Sequence, residues 1–341
     1  AEEVSFAWAT TLIESGKLAD ALAVAIGALA RYPGSTMEDE FLYTAGYARF
    51  VLGKPDEALA AVRRVASERF PRAGGGSGPS ENEKHAIYLE GQIHHALGHA
   101  EEALSSYDKV VEDFQDATEA AGYFRKKALR VAEVTRFSTT DAAELELNWR
   151  NLEEAAIKVY RVDLMRLYLL HKSLDNVSGI LLHGIRPFHE TTAKLGDGKD
   201  WLGERKSKVA LPLTEAGAYL VVVRAGDLLA SGLVLRTDLE IDAQESLDVG
   251  RVRVNVKRGG AFVPGAHVKV VGSGDGELRG GATDPRGIFV ADGLVGRATV
   301  IAQVGDAFAF HRGSGIHQPQ RFAPVPQPQT DPQGGGGGDA Q

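Results

Sequence analysis

The chain contains no cysteine. That excludes disulfides, thiolate nucleophiles and zinc–thiolate centres at once. It leaves the compartment open, because a chain of this size buries enough core to do without bridges in an oxidising space. Long apolar runs are missing as well: no stretch approaches the ~18–20 residues that cross a bilayer as a helix. Positive charge is in deficit, with 38 Lys and Arg against 46 Asp and Glu and a net charge of -8. A duplex nucleic-acid binder needs a basic stripe that releases phosphate counterions, so nucleic acid is not an expected partner. No signal peptide is visible in a chain that opens at Ala1, with Val4–Leu12 already reading as helix.

What is present is a change of hydrophobic period. The 341 residues, 43% hydrophobic and 25% charged, have the composition of two or three folded domains. Up to about residue 135 the apolar positions recur at helical spacing. From about 138 they alternate, or form short blocks cut by Gly and Asp turns.

The helical half repeats. Gly16-Lys17-Leu18-Ala19-Asp20-Ala21-Leu22, Gly53-Lys54-Pro55-Asp56-Glu57-Ala58-Leu59 and Gly98-His99-Ala100-Glu101-Glu102-Ala103-Leu104 share one pattern. Their glycines stand 37 (16 to 53) and 45 (53 to 98) residues apart, the longer interval holding the Ala73–Pro79 glycine-rich insertion. Each glycine suits a turn between helices, where φ > 0 is easiest. Ala21, Ala58 and Ala103 are small where helices approach, and Gly46 and Gly91 precede their turn glycines by seven. Pro33 and Pro71 follow second helices and stop them. Residues Thr118–Val134 read as a capping helix. The pattern resembles the tetratricopeptide repeat, a helix–turn–helix of ~34 residues. That resemblance implies a concave face, lined from first helices, that takes a peptide or partner segment. Its residues here would be Phe6, with Thr10 and Ile13; Tyr43, Tyr47 and Phe50; and Tyr88, Gln92 and His95. The alternative reading is that these side chains only pack between helices.

In the second half, Ile157–Val162, Val209–Leu213 and Ala218–Val223 read as strands, with Ala225-Gly226-Asp227 turning the last into Leu228–Leu235. Leu164–Leu174 fits either a helix or a strand and loop. Val252, Val254 and Val256 alternate with charged or polar residues, and Gly305-Asp306 marks a hairpin. The string Pro264-Gly265-Ala266-His267-Val268-Lys269-Val270, followed by Thr283-Asp284-Pro285-Arg286-Gly287-Ile288-Phe289, resembles macroglobulin-type and carboxypeptidase-regulatory-like sandwich domains. With Leu211-Pro212-Leu213 and Gly217–Val221 ahead of it, the region from about 150 to 312 is similar to the N-terminal macroglobulin domains of bacterial alpha-2-macroglobulin family proteins. The covalent trap of that family uses a Cys-Gln thioester, which a chain without cysteine lacks. The resemblance therefore implies a related sandwich and an envelope setting, without the inhibitory chemistry.

No reactive centre assembles. His94, His95 and His99, with His85 upstream, include a helical i, i+4 pair, but no carboxylate completes a ligand set. Gly272–Gly276 lacks the phosphate-loop lysine and opens no helix. Asp197-Gly198-Lys199-Asp200 lacks the alternating acids and closing Glu of a calcium loop and reads as an exposed loop. His183 and His189 flank Pro187 without a serine elbow or a metalloprotease helix.

The fold class expected is therefore multidomain α + β: an N-terminal α-helical tetratricopeptide-like solenoid over residues 1–135, then two antiparallel β-sandwiches of macroglobulin or immunoglobulin type over 138–240 and 241–313. A Pro/Gln/Gly-rich tail over 314–341 is expected to be disordered. The function expected is a non-enzymatic interaction scaffold that needs no cofactor or metal, has a protein or peptide partner, and lacks a transmembrane segment. Its expected setting is periplasmic, cell-envelope or secreted. Two other readings stay open: glycan or envelope-polymer binding by the β modules, and a protease-interacting role without the thioester.

Overall fold

The computed structural model describes residues 1–171 and 185–318. His183 and most of the expected tail, from 319 on, lie outside them. The chain divides into two compact units. The first comprises Ala1–Arg130, Leu147–Ala155 and Lys194–Ser207; the second comprises Val131–Glu146, Ala156–Ala193 and Lys208–Gln341.

The first unit is built on helices α1 (Glu2–Glu14), α2 (Leu18–Arg31), α3 (Glu38–Val51), α4 (Pro55–Ser67), α5 (Glu83–Ala96), α6 (Ala100–Asp108) and α7 (Gln115–Arg125). Each packs on the next, and α3 touches both α1 and α5. The three turn glycines act alike. Gly16, Gly53 and Gly98 have φ of 74°, 76° and 76°. After each, the following amide reaches back to close a Schellman turn: Lys17 N to Leu12 O at 2.8 Å, Lys54 N to Arg49 O at 2.8 Å, His99 N to His94 O at 2.9 Å. Burial of Phe41, Leu89, Ile93, Tyr107 and Phe124 holds the helices together, each side chain contributing roughly 1.5–3 kcal/mol.

The expected solenoid over residues 1–135 is corrected by this structure. The helical run is broken after α4 by the hairpin β1 (Arg69–Pro71) and β2 (Ser77–Pro79). It ends at Arg125, and the expected capping helix to Val134 gives way to strand from Ala128. Strand makes up about a third of the described residues. The helices do not form a free-standing stack, because segments from far along the chain complete their unit. Arg150 Nη2 donates to Tyr123 O at 2.9 Å, Asn151 Nδ2 to Phe124 O at 2.6 Å and Lys126 O at 3.0 Å. These bonds satisfy carbonyls that the end of α7 leaves open. Trp201 packs against the cluster of Tyr107, Ala121 and Phe124. The last apolar helix face is thus covered by returning chain, where a solenoid would use a terminal helix.

The remaining strands begin with β3 (Ala128–Val131), β4 (Val134–Phe137), β5 (Ala143–Arg150), β6 (Glu154–Val162), β7 (His189–Lys194), β8 (Arg205–Leu211), β9 (Gly217–Ala225) and β10 (Leu228–Arg236). A short helix, α8 (Leu164–His171), follows β6, which settles the ambiguous start of 164–174. Then come β11 (Leu239–Ser246), β12 (Arg251–Arg258), β13 (Ala261–Phe262), β14 (His267–Gly272), β15 (Leu278–Ala282), β16 (Ile288–Ala291), β17 (Ala298–Val304) and β18 (Ala307–Arg312).

In the second unit a five-stranded sheet runs β4-β10-β9-β6-β7. Its β4–β10 pair is parallel, so the expectation of purely antiparallel sheets is also corrected. A Cβ on Gly232 would stand 2.2 Å from Ala132 O, so only glycine lets the chain before β4 approach β10 this closely. The next module packs β11-β12-β13, with β16 paired to β12 alongside β13, against β15-β14-β17-β18. The alternating Val252, Val254 and Val256 face Val268, Val270, Val300 and Ala302 in one core, as their period of two requires. The Thr-Asp-x-x-Gly-x-Phe string makes a turn. Thr283 Oγ1 accepts from Ala266 N and donates to Val263 O, while Asp284 Oδ1 accepts from Arg286 N and Ile288 N. Gly287, at φ 72°, leaves room for Phe262, and Phe289 packs onto the core. After β18 the described chain continues to Gln318. His317 is fully buried, its Nε2 2.9 Å from Glu245 Oε2.

Candidate functional site

On the inner row formed by α1 and α3, side chains one and two turns apart leave a cleft of about 310 Å³. Phe6, Thr10 and Ile13 line it from α1; Glu40, Tyr43, Thr44 and Tyr47 from α3; and Asn82 from the segment before α5. The spacings i, i+4, i+7 and i, i+3, i+7 put each set on one helix face. Phe6 is fixed edge-on against the buried Phe41, with centroids 6.1 Å apart. Thr10 Oγ1 donates to Phe6 O at 3.1 Å, so its hydroxyl is spent within its own helix.

The chemistry of the cleft resides in Glu40. Its carboxyl is pushed up to about 7, first by burial, then by a hydrogen bond with Asp39 and the negative charges of Asp39 and Glu81. Oε2 of Glu40 is buried with no hydrogen-bond partner. Asp39 behaves oppositely: burial acts to raise it, but hydrogen bonds from Glu40 and Ser80 outweigh that and hold it below the usual carboxylate range. Ser80 Oγ donates to Asp39 Oδ2 at 2.7 Å. Burial also raises the Tyr43 phenol, keeping it neutral.

The other residues picked out in the sequence are elsewhere. Phe50 packs against the Leu42, Leu59 and Ile93 cluster. Tyr88 lies on Phe114 at 5.3 Å, close to stacked, and near Tyr107 at 5.8 Å. Gln92 bonds to Tyr88. His95 meets Phe124 at 4.7 Å and stacks on Tyr123 at 6.1 Å. Phe50 is thus engaged in the packing of α3 with α4 and α5, and Tyr88, Gln92 and His95 in that of α5 with α6 and α7. Of the seven, Phe6, Tyr43 and Tyr47 converge on open space. Glu40, Thr44 and Asn82 are the cleft residues that sequence reasoning missed. The face Glu40–Tyr43–Tyr47 was legible at i, i+3, i+7 had polar positions been counted with the aromatics.

His94 is buried rather than solvated, with Arg63 Nη2 at 3.0 Å and His99 Nδ1 at 3.4 Å. Burial, then the Arg63 charge, hold its imidazole below the usual value, so it acts as a neutral strut between helices. Among the described residues no group of three or more His, Asp or Glu is placed to hold a metal. A larger cleft of about 460 Å³ lies along Gly98–Glu102 and Asp197–Arg205. Its two cations are both paired: Lys199 with Glu101 at 3.1 Å, and Arg205 with Asp200. Asp200 is buried there, so the expected exposed loop is partly an inward anchor. Among the described residues no helix is long and apolar enough to cross a membrane.

Compared with known proteins, the chain has several structural neighbours. One is native alpha-2-macroglobulin from Escherichia coli spanning domains MG0-NIE-MG1, at 16% identity and a TM-score of 0.44, covering 55% of this chain and 64% of that one. Another is Salmonella alpha-2-macroglobulin reacted with methylamine, at 14% identity and a TM-score of 0.40, covering 54% and 12%. A third is the D0-D1 domain of intimin, at 14% identity and a TM-score of 0.25, covering 55% and 97%. The chain thus spans less than two thirds of the first of these neighbours. No family model and no curated protein matches.

Proposed function

We propose that the protein is a non-enzymatic binding protein whose α1–α3 cleft receives a side chain of a partner polypeptide, with the β modules as its scaffold. One observation carries this reading. Phe6, Tyr43 and Tyr47, chosen from the sequence as one face, meet around an open cleft, while the other candidates are engaged in packing. Aromatic rings that are partly exposed and already fixed by neighbours give contact area at low entropic cost. The setting we propose is the bacterial envelope or the space outside it, on the macroglobulin-like motifs of residues 264–289.

Random-peptide display against the whole chain tests this, with counter-selection on a Tyr43→Ala/Tyr47→Ala variant. Enriched peptides should bind the wild type and lose at least tenfold on the variant, whose fold is checked by circular dichroism. Peptides that bind both proteins equally would move the site elsewhere. Deleting residues 1–135 is not a usable alternative, because the first unit also needs residues 147–155 and 194–207.

A further inference from the structure

The α1–α3 cleft combines aromatic walls, from Phe6, Tyr43 and Tyr47, with a lining carboxyl, Glu40, and no lining cation. The larger cleft at Asp197–Arg205 differs, since Lys199 and Arg205 line it and pair with Glu101 and Asp200. So does a cleft of about 260 Å³ beside Arg161 and Asp306, where Arg161 pairs with Glu215 and Asp306. Around Glu40 the balance is one-sided. Asp39 adjoins it on α3 and Glu81 approaches from the segment before α5. The other lining groups, Thr10, Ile13, Thr44 and Asn82, are uncharged, and no lining residue is a cation. His85 of α5 contacts Tyr43 edge-on at 6.3 Å and does not line the cleft.

We infer that this cleft is a subsite for an alkylammonium group, in the form of a lysine side chain on the partner, with the ammonium on the Glu40 carboxylate and the methylenes between Phe6, Tyr43 and Tyr47. The inference rests on the binding function proposed above and names the chemistry of its ligand. Three physical points select this ligand. Aromatic faces attract a cation through their negative quadrupole. A carboxylate held beside other carboxylates is costly, and a charge-assisted bond to a cation offsets that cost. A guanidinium uses two parallel acceptors, whereas an ammonium is a compact point charge that one oxygen can serve. Glu40 engages Asp39 as well, so its carboxyl does not offer both oxygens to a guanidinium, which favours lysine over arginine.

Binding is coupled to a proton. In the empty cleft Glu40 is close to half protonated near neutral pH, because burial and Asp39 raise it to about 7. An arriving ammonium favours the carboxylate, so the carboxyl proton leaves to solvent as the ion pair forms. Affinity for lysine therefore rises from pH 6 to pH 8.

The test uses the full chain and two blocked amino acids, N-acetyl-lysine methylamide and its uncharged counterpart N-acetyl-norleucine methylamide, titrated by heteronuclear NMR at pH 8. Lysine should bind at least tenfold tighter than norleucine to the wild type. Glu40→Gln should abolish that preference. Gln resembles the protonated carboxyl in size and charge, and the amide spectrum confirms that the variant is folded. Equal binding of the two ligands to the wild type would overturn the ammonium subsite while leaving the apolar cleft intact. A lysine preference that survives in Glu40→Gln would overturn it as well. Failure of both ligands to bind at millimolar concentration would overturn the subsite and the binding reading together.

Discussion

The backbone of Gly91 lies directly against the ring of Tyr107: a Cβ at 91 would stand 2.8 Å from Cδ1 and Cε1 of that ring. Gly46 repeats the relationship one helix pair earlier, where a Cβ would stand 2.7 Å from Val62 Cγ1. Both glycines let a first helix settle against its second. Gly27 and Gly122 are also helical, yet a Cβ on either meets nothing within 4 Å. The four sites therefore separate helix propensity from packing. Gly27→Ala and Gly122→Ala should each stabilise by about 0.5–1 kcal/mol, since Ala forms helix better than Gly. Gly91→Ala gains the same propensity but overpacks against a buried ring at a cost of about 1–3 kcal/mol, and should lose stability on balance. Urea denaturation of the three variants measures both signs.

Asn151 holds the end of α7 from a distance. Among the described residues it is the one non-glycine with positive φ, 53°, and its side-chain amide bonds both Phe124 O and Lys126 O. Asn151→Gly keeps the backbone easy but leaves those carbonyls unserved, a loss of about 1–3 kcal/mol. Asn151→Ala adds left-handed strain of roughly 1–2 kcal/mol and should be worse. Equal loss in both variants would remove the backbone contribution.

Glu40 predicts a pH dependence of stability. Its folded-state value of about 7 lies above the ordinary 4.5. The unfolded chain therefore gives up this proton first, and stability is lost as pH rises from about 4.5 to 7. Glu40→Gln should match the wild type near pH 4 and exceed it at pH 8 by about 1–2 kcal/mol, after allowance for partial exposure. Carbon-detected titration of the carboxyl, together with melting at the two pH values, checks this.

His94 acts at the other end of the scale. Its imidazole is held below 6.5, so the unfolded chain takes up the proton first as pH falls. The stability this residue contributes is present above 6.5 and fades as pH drops through the folded value, with a slope of at most about 1.4 kcal/mol per pH unit. A His94→Gln variant should flatten that part of the profile. An unchanged slope would show that His94 is not the titrating group.

Local structure was widely legible in the sequence. Gly16, Gly53 and Gly98 marked three Schellman turns, Val252–Val256 one sheet face, and Gly305-Asp306 a hairpin. What escaped was everything that depends on distant partners. Nothing near residue 125 announces that Arg150, Asn151 and Trp201 will finish the helical unit. β4 pairs in parallel with a strand about 100 residues away, and Ala143–Arg150 was not picked out as strand. The same limit applies to the cleft. Aromatic spacing located one wall of it, but which rings stay open is decided by Phe114, Tyr107 and Phe124 arriving from later helices to fill the other positions.

Photo-crosslinking tests the central claim most directly. A peptide enriched by display, carrying a photoreactive analogue at its central side chain, is bound to the intact protein, irradiated, and mapped by mass spectrometry. Adducts should concentrate on Phe6–Ile13 and Glu40–Tyr47. Adducts confined to residues beyond 207, with none on those two segments, would contradict the account.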